Sequence, residues 1–150
     1  MKTNTLLYED IPEYGSWLKI ILGGVLALTF ILGIIFISID TEAALVMFGI
    51  TLFDALLFKA ILPRRFQIFE DRLKILSGGP FAINIPLSNI TEAKSVSGSK
   101  TFVYSGLRFA TSTKRVVEIV RKKGMNLVIS PRNDDMFLEQ LNQARQSQSG

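Results

Sequence analysis

The chain has no cysteine and no histidine among its 150 residues. Disulfides, thiolate or imidazole metal ligation, cysteine nucleophiles and any Ser-His-Asp arrangement are thereby excluded. Carboxylate-only metal sites and paired-carboxylate acid/base chemistry stay open, but no catalytic constellation of that kind stands out, and no cofactor is expected. A basic leader is missing too: Leu7-Tyr8-Glu9-Asp10-Ile11-Pro12-Glu13 is acidic and aromatic, and no small-residue cleavage site follows it. A cleaved signal peptide is therefore not expected. Between residues 20 and 39 charge itself is absent.

That uncharged run is long enough to matter. Twenty helical residues at about 1.5 Å each cover a hydrocarbon core of about 30 Å. The first span is read over residues 17–39, with Trp17 and Lys19 as interfacial aromatic and snorkelling cation. The hinge Asp40-Thr41-Glu42 holds no Lys or Arg, and Thr41 is a candidate cap for a second span over residues 43–62. Pro63-Arg64-Arg65 stops it. Basic residues beyond the spans and none in the hinge predict both termini on the cytoplasmic side of a two-span cell-membrane protein.

Charge divides unevenly. Residues 1–62 carry three basic and six acidic side chains, residues 63–150 fourteen basic and seven acidic, so −3 and +7 make up the overall +4. The densest basic group is Lys114, Arg115, Arg121, Lys122 and Lys123, with Arg108 nearby. It is a candidate surface for anionic lipid or an acidic partner; the simpler reading is solvated strand edges and a turn, where charge discourages edge pairing. With no recognition helix or aromatic platform, nucleic acid is not an expected partner.

Asp54 breaks the apolar pattern. It is the twelfth residue of the second span, near mid-bilayer, where an ionised carboxylate costs about 2.5–3.5 kcal/mol. Two readings stand: a titrating or ion-pathway group, or a hydrogen-bonded Asp facing a helix, in the hairpin or in an oligomer. Thr51, one turn earlier, and Thr29 in the first span complete this candidate intramembrane polar site. Gly23 with Ala27, Gly33 and Gly49 are candidate points of close helix approach.

After Arg65 the period becomes two. Phe66 and Ile68, then Leu73 and Ile75, flank a Glu70-Asp71 turn; Phe81, Ile83 and Ile85 follow Gly78-Gly79-Pro80. Further strands are read from Ile90 to Lys94, from Phe102 to Phe109, and on either side of Lys122-Lys123-Gly124. Gly98-Ser99-Lys100-Thr101 lacks the Gly-Lys-Ser/Thr of a phosphate loop and is read as a turn. Ser130-Pro131 is read as N-cap and first turn of a helix whose stripe is Met136, Phe137 and Leu141. The fold class expected is a membrane α-helical hairpin, then a mainly β domain of about seven antiparallel strands with a C-terminal helix. The boundaries are a cytoplasmic lead over 1–16, the hairpin over 17–62, the β domain over 63–146 and a disordered tail over 147–150.

Two spans, Arg65-Phe66-Gln67-Ile68, Arg72-Leu73-Lys74-Ile75, Ile85-Pro86-Leu87-Ser88-Asn89-Ile90 and Ile129-Ser130-Pro131 before a Phe-Leu helix resemble the bacterial and archaeal membrane-anchored pleckstrin-homology-like proteins. The resemblance implies a PH-like barrel without a settled biochemical activity. The function expected is a non-enzymatic, membrane-anchored binding or assembly module engaging a protein partner, a second copy or membrane lipids. The alternative is an accessory subunit acting on a larger membrane complex through the hairpin and Asp54.

Overall fold

The computed structural model describes residues 4–98 and 106–150. The loop Ser99-Lys100-Thr101 and the first part of the strand expected from Phe102 lie outside the described residues. Two helices, α1 (Ser16–Phe36) and α2 (Thr41–Ile61), form an antiparallel hairpin. Each has 21 residues, includes an 18-residue stretch whose mean hydropathy is 2.5 in α1 and 2.0 in α2, and is long and apolar enough to cross a membrane. The α2 cap is Asp40, not Thr41: its carboxylate accepts from the Glu42 and Ala43 amides at 2.9 and 3.2 Å. The acid one residue earlier reaches the open N–H groups better than a Thr already inside the first turn.

The β domain consists of two four-stranded sheets and a closing helix. The first sheet orders β1 (Leu6–Asp10), β2 (Pro63–Phe69), β3 (Arg72–Ser77) and β4 (Ala82–Pro86) as an antiparallel meander. After a 3-10 turn at Leu87–Asn89, the second orders β5 (Ile90–Ser97), β7 (Arg115–Arg121), β8 (Leu127–Ile129) and β6 (Leu107–Phe109). Its edge pair β6–β8 is parallel, the others antiparallel. Helix α3 (Asp134–Ser149) covers the core. This is consistent with the PH-like architecture that the resemblance implies, with eight described strands where about seven are expected and one parallel pair among them.

Alternation explains the core. Phe66 and Ile68, Leu73 and Ile75, Val117 and Ile119, and Leu127 and Ile129 all turn to one interior, where α3 adds Phe137, Leu141 and Ala144 at i, i+4 and i+7. The Phe137 ring meets Phe66 and Tyr8 edge-on, at centroid distances of 6.2 and 6.4 Å. That three-ring contact ties α3 to β1 and β2.

Two expectations need correcting. Helix α3 begins three residues later than Ser130-Pro131 suggests, with Asn133 as N-cap accepting from the Met136 amide at 3.1 Å. Ser130 is fully buried and its hydroxyl instead accepts the Thr111 amide at 2.8 Å. The helix also runs to Ser149, its end held by Gln148 donating to the Glu70 carbonyl at 2.7 Å.

The lead before α1 holds a strand that the sequence reading lacks. β1 pairs with β2, so the helical hairpin is inserted between two neighbouring antiparallel strands. The strand entering α1 and the strand leaving α2 thus lie side by side.

Candidate functional site

Three places collect the polar residues: the junction between hairpin and β domain, the middle of the hairpin, and the domain end farthest from the helices.

The junction is a hydrogen-bonded collar. The Glu13 amide donates to the Ser130 carbonyl at 2.8 Å, Gly15 to Thr111 at 2.7 Å and Arg132 to Ile11 at 2.9 Å, while Pro12 bridges Pro131. Thr111 Oγ1 donates to the Glu13 carbonyl at 2.6 Å. The buried Asp10 carboxylate accepts the amides of Ile11 and Asn133 at 2.8 and 3.0 Å. Buried polar groups are tolerable only when paired in this way. On the other side, the Gly78 and Gly79 amides donate to the Leu62 and Ala60 carbonyls at 3.1 and 3.2 Å, docking the β3–β4 turn on the last turn of α2. The Tyr14 hydroxyl donates to the Pro63 carbonyl, joining the two sides. Burial raises the Tyr14 pKa above the ordinary 10.0, with the Arg64 cation opposing. Phe81, 61% exposed, stands at the edge of this junction.

Inside the hairpin, partly or wholly buried positions recur at 22, 26, 29, 33 and 36 in α1 and at 44, 47, 51, 54 and 58 in α2. Spacings alternating between three and four are those of a heptad seam. Thr51 Oγ1 lies 2.8 Å from Thr29 Oγ1 across it, and each hydroxyl also reaches a carbonyl about one turn earlier in its own helix. Asp54 occupies the next seam position, half-buried, with no hydrogen bond or ion pair to a described residue. So Thr29 and Thr51 are brought together, and Asp54 is beside them but not bonded to them. Of the glycines, Gly33 receives the Phe48 ring, whereas Gly23, Gly24 and Gly49 face open space.

The six basic residues do not form one patch. They are close in sequence because a strand joins them, but the seven residues of β7 hold its ends about 20 Å apart. Lys114 and Arg115 lie toward the collar, and both are matched by acids. Lys114 is 3.9 Å from Glu13; Arg115 meets Asp134 at 3.0 Å and Asp135 at 3.1 Å. Arg108, in the middle of the edge strand β6, is partly buried, and burial lowers its pKa. Arg121, Lys122 and Lys123 are at the far end. There the backbone amides of Lys122 and Lys123 donate to the Asn89 main-chain and side-chain carbonyls at 2.8 and 2.9 Å.

That far end also holds a groove of about 520 Å³ between α3 and the 3-10 turn, lined by Ser88, Thr91, Lys122, Asn142 and Arg145 over apolar Leu87 and Ile90. Sequence reading missed Arg145, which lies in the polar C-terminal stretch. Its guanidinium is fixed by the Thr91 carbonyl at 2.5 Å and Asn142 Oδ1 at 3.2 Å.

Residues 64–145, which take in β2 through the greater part of α3, match the family model for the bacterial PH domain. The chain belongs to the bacterial PH domain family. No curated protein and no solved structure gives a significant match. PH-like domains are generally non-catalytic binding modules that engage proteins or lipids. In this PH domain the family match starts at Arg64, so β1 and the two helices lie outside the matched part.

Proposed function

We propose that the chain is a membrane-anchored, non-enzymatic binding module, with its PH domain held at the cytoplasmic face for a protein partner or anionic headgroups. The observation that carries this reading is the pairing of β1 with β2 around the hairpin. If α1 and α2 span the bilayer, that pairing requires the lead and the domain to share one side. Arg64 and Arg65 at the exit of α2 favour the cytoplasmic one. The collar then lies at headgroup depth, where Trp17, Lys19, Arg64 and the exposed Phe81 suit the interface.

The absence of native cysteine makes the orientation directly testable. A single cysteine at Ser38 in the hinge should label from outside intact cells, and one at Gln146 only after permeabilisation. The opposite pattern would sink the orientation. Crosslinking of the full-length protein in its native membrane, followed by pull-down, tests the module itself; failure to recover any partner protein or lipid would count against it.

A second reading has its own support. Asp54 is a carboxylate at mid-span, unbonded within the described hairpin, on the seam with Thr29 and Thr51. Such a group fits contact with a polar residue of a larger membrane complex. Asp54→Leu should then shrink the detergent-solubilised complex; unchanged size would remove this role.

A further inference from the structure

We infer that the groove at the far end of the PH domain is a docking site for an acidic segment of a cytoplasmic protein; this rests on the binding-module reading and names its partner's chemistry. Near the collar, Lys114 and Arg115 are answered internally, by Glu13, Asp134 and Asp135. At the far end Arg121, Lys122, Lys123 and Arg145 meet no carboxylate among the described residues, and no acidic side chain lines the groove. Along β7 and the turn after it, the uncompensated charge therefore lies at the end away from the helices.

Distance decides between a bilayer and a protein. The domain end at Lys122 is about one strand length, ~20 Å, from the helix exit. Screening at physiological salt acts over about 8 Å, so attraction from these cations to the anchoring bilayer is largely lost. The cavity shape also favours a chain over a small anion. A second hollow of about 320 Å³, lined by Pro86, Ser88, Asn89, Lys122 and Lys123, shares Ser88 and Lys122 with the first. The two adjoin at these shared residues, and Lys122, Lys123 and Arg145 are spread over their linings. Arg145 is pre-positioned by its two bonds, and Leu87 and Ile90 supply an apolar floor. An acidic peptide with an interleaved aliphatic side chain matches that lining.

The test uses the full chain in nanodiscs of neutral lipid and a fluorescein-labelled peptide of repeating Glu-Glu-Leu. Saturable binding is expected, weakened about tenfold by Lys122→Glu with Lys123→Glu and unchanged by Lys114→Glu. The two lysines are exposed, so the variant should fold as the wild type does. Absence of binding, or equal loss with Lys114→Glu, overturns the proposal. Displacement of the peptide by millimolar inorganic phosphate at constant ionic strength would assign the groove to a small anion instead. Capture of anionic vesicles through Lys122 and Lys123, without peptide binding, would assign it to a facing membrane. A photo-crosslinker at Gln146 and another at Asn84, on the exposed β4 edge, separate two failures in native membrane. Capture from Asn84 alone discards the groove and keeps the module; capture from neither discards both.

Discussion

Tyr14 joins the chain entering the hairpin to the chain leaving it, through one hydroxyl bonded to the Pro63 carbonyl. Because burial raises its pKa, the folded state holds the phenolic proton more tightly than the unfolded chain does. The stabilisation is therefore complete below the ordinary value of 10.0 and is lost as pH rises through the higher folded value. Tyr14→Phe should lower stability by about 1 kcal/mol near neutral pH, the usual worth of one such bond. The gap between wild type and Y14F in thermal unfolding should close at strongly alkaline pH. A gap that persists there would show that the ring, not the hydroxyl, matters. Asn133 offers a second residue-scale prediction: removal of its cap by Asn133→Ala should cost about 1 kcal/mol in chemical denaturation, whereas Ser130→Ala should act through Thr111 and the collar.

Among the elements, the β3–β4 turn couples the sheet to α2 by close backbone approach. A Cβ on Gly78 would stand 1.9 Å from the Lys59 carbonyl oxygen, a backbone atom that can yield only if helix or turn moves. Gly78→Ala should destabilise by about 1–3 kcal/mol, and Gly23→Ala, open on all sides, by almost nothing, as read from melting in detergent. An equal effect of the two would refute the coupling. Most elements of this fold are legible from sequence, because period-two runs such as Phe66-Ile68 and Leu73-Ile75 and the uncharged α1 are local signals. β1 is not. Leu6 and Leu7 are adjacent rather than alternating, and the strand exists only because the returning hairpin lays β2 beside it. The start of α3 is misread for a related reason: Ser130 has the chemistry of a cap but is claimed by Thr111, 19 residues away. The basic group is misread as one patch because nearness in sequence along an extended strand becomes separation in space. Thr29 and Thr51 are read as members of one polar site, and the hairpin does bring them together.

For the molecule as a whole, the insertion of the hairpin between paired strands implies that the folding unit of the β domain is residues 4–15 together with residues 63–149. β1 brings Tyr8 against Phe137, covers the free edge of β2, and ends in Asp10, whose carboxylate holds the amide of Asn133 ahead of α3. A chain beginning at residue 63 would lose all three and leave buried partners unsatisfied. The Tyr14–Pro63 bond places the two ends of the unit close together, so a Gly-Ser linker of about six residues can replace residues 16–62. That linked chain should be soluble and unfold in one cooperative transition. The chain of residues 63–150 alone should be less stable by roughly 3 kcal/mol or more, from lost ring packing and unpaired backbone. Urea unfolding of the two would decide the matter. Equal stability would make β1 an ornament of the anchor; the expected difference would mean that the domain cannot fold fully until the hairpin has returned the chain to the side from which it left.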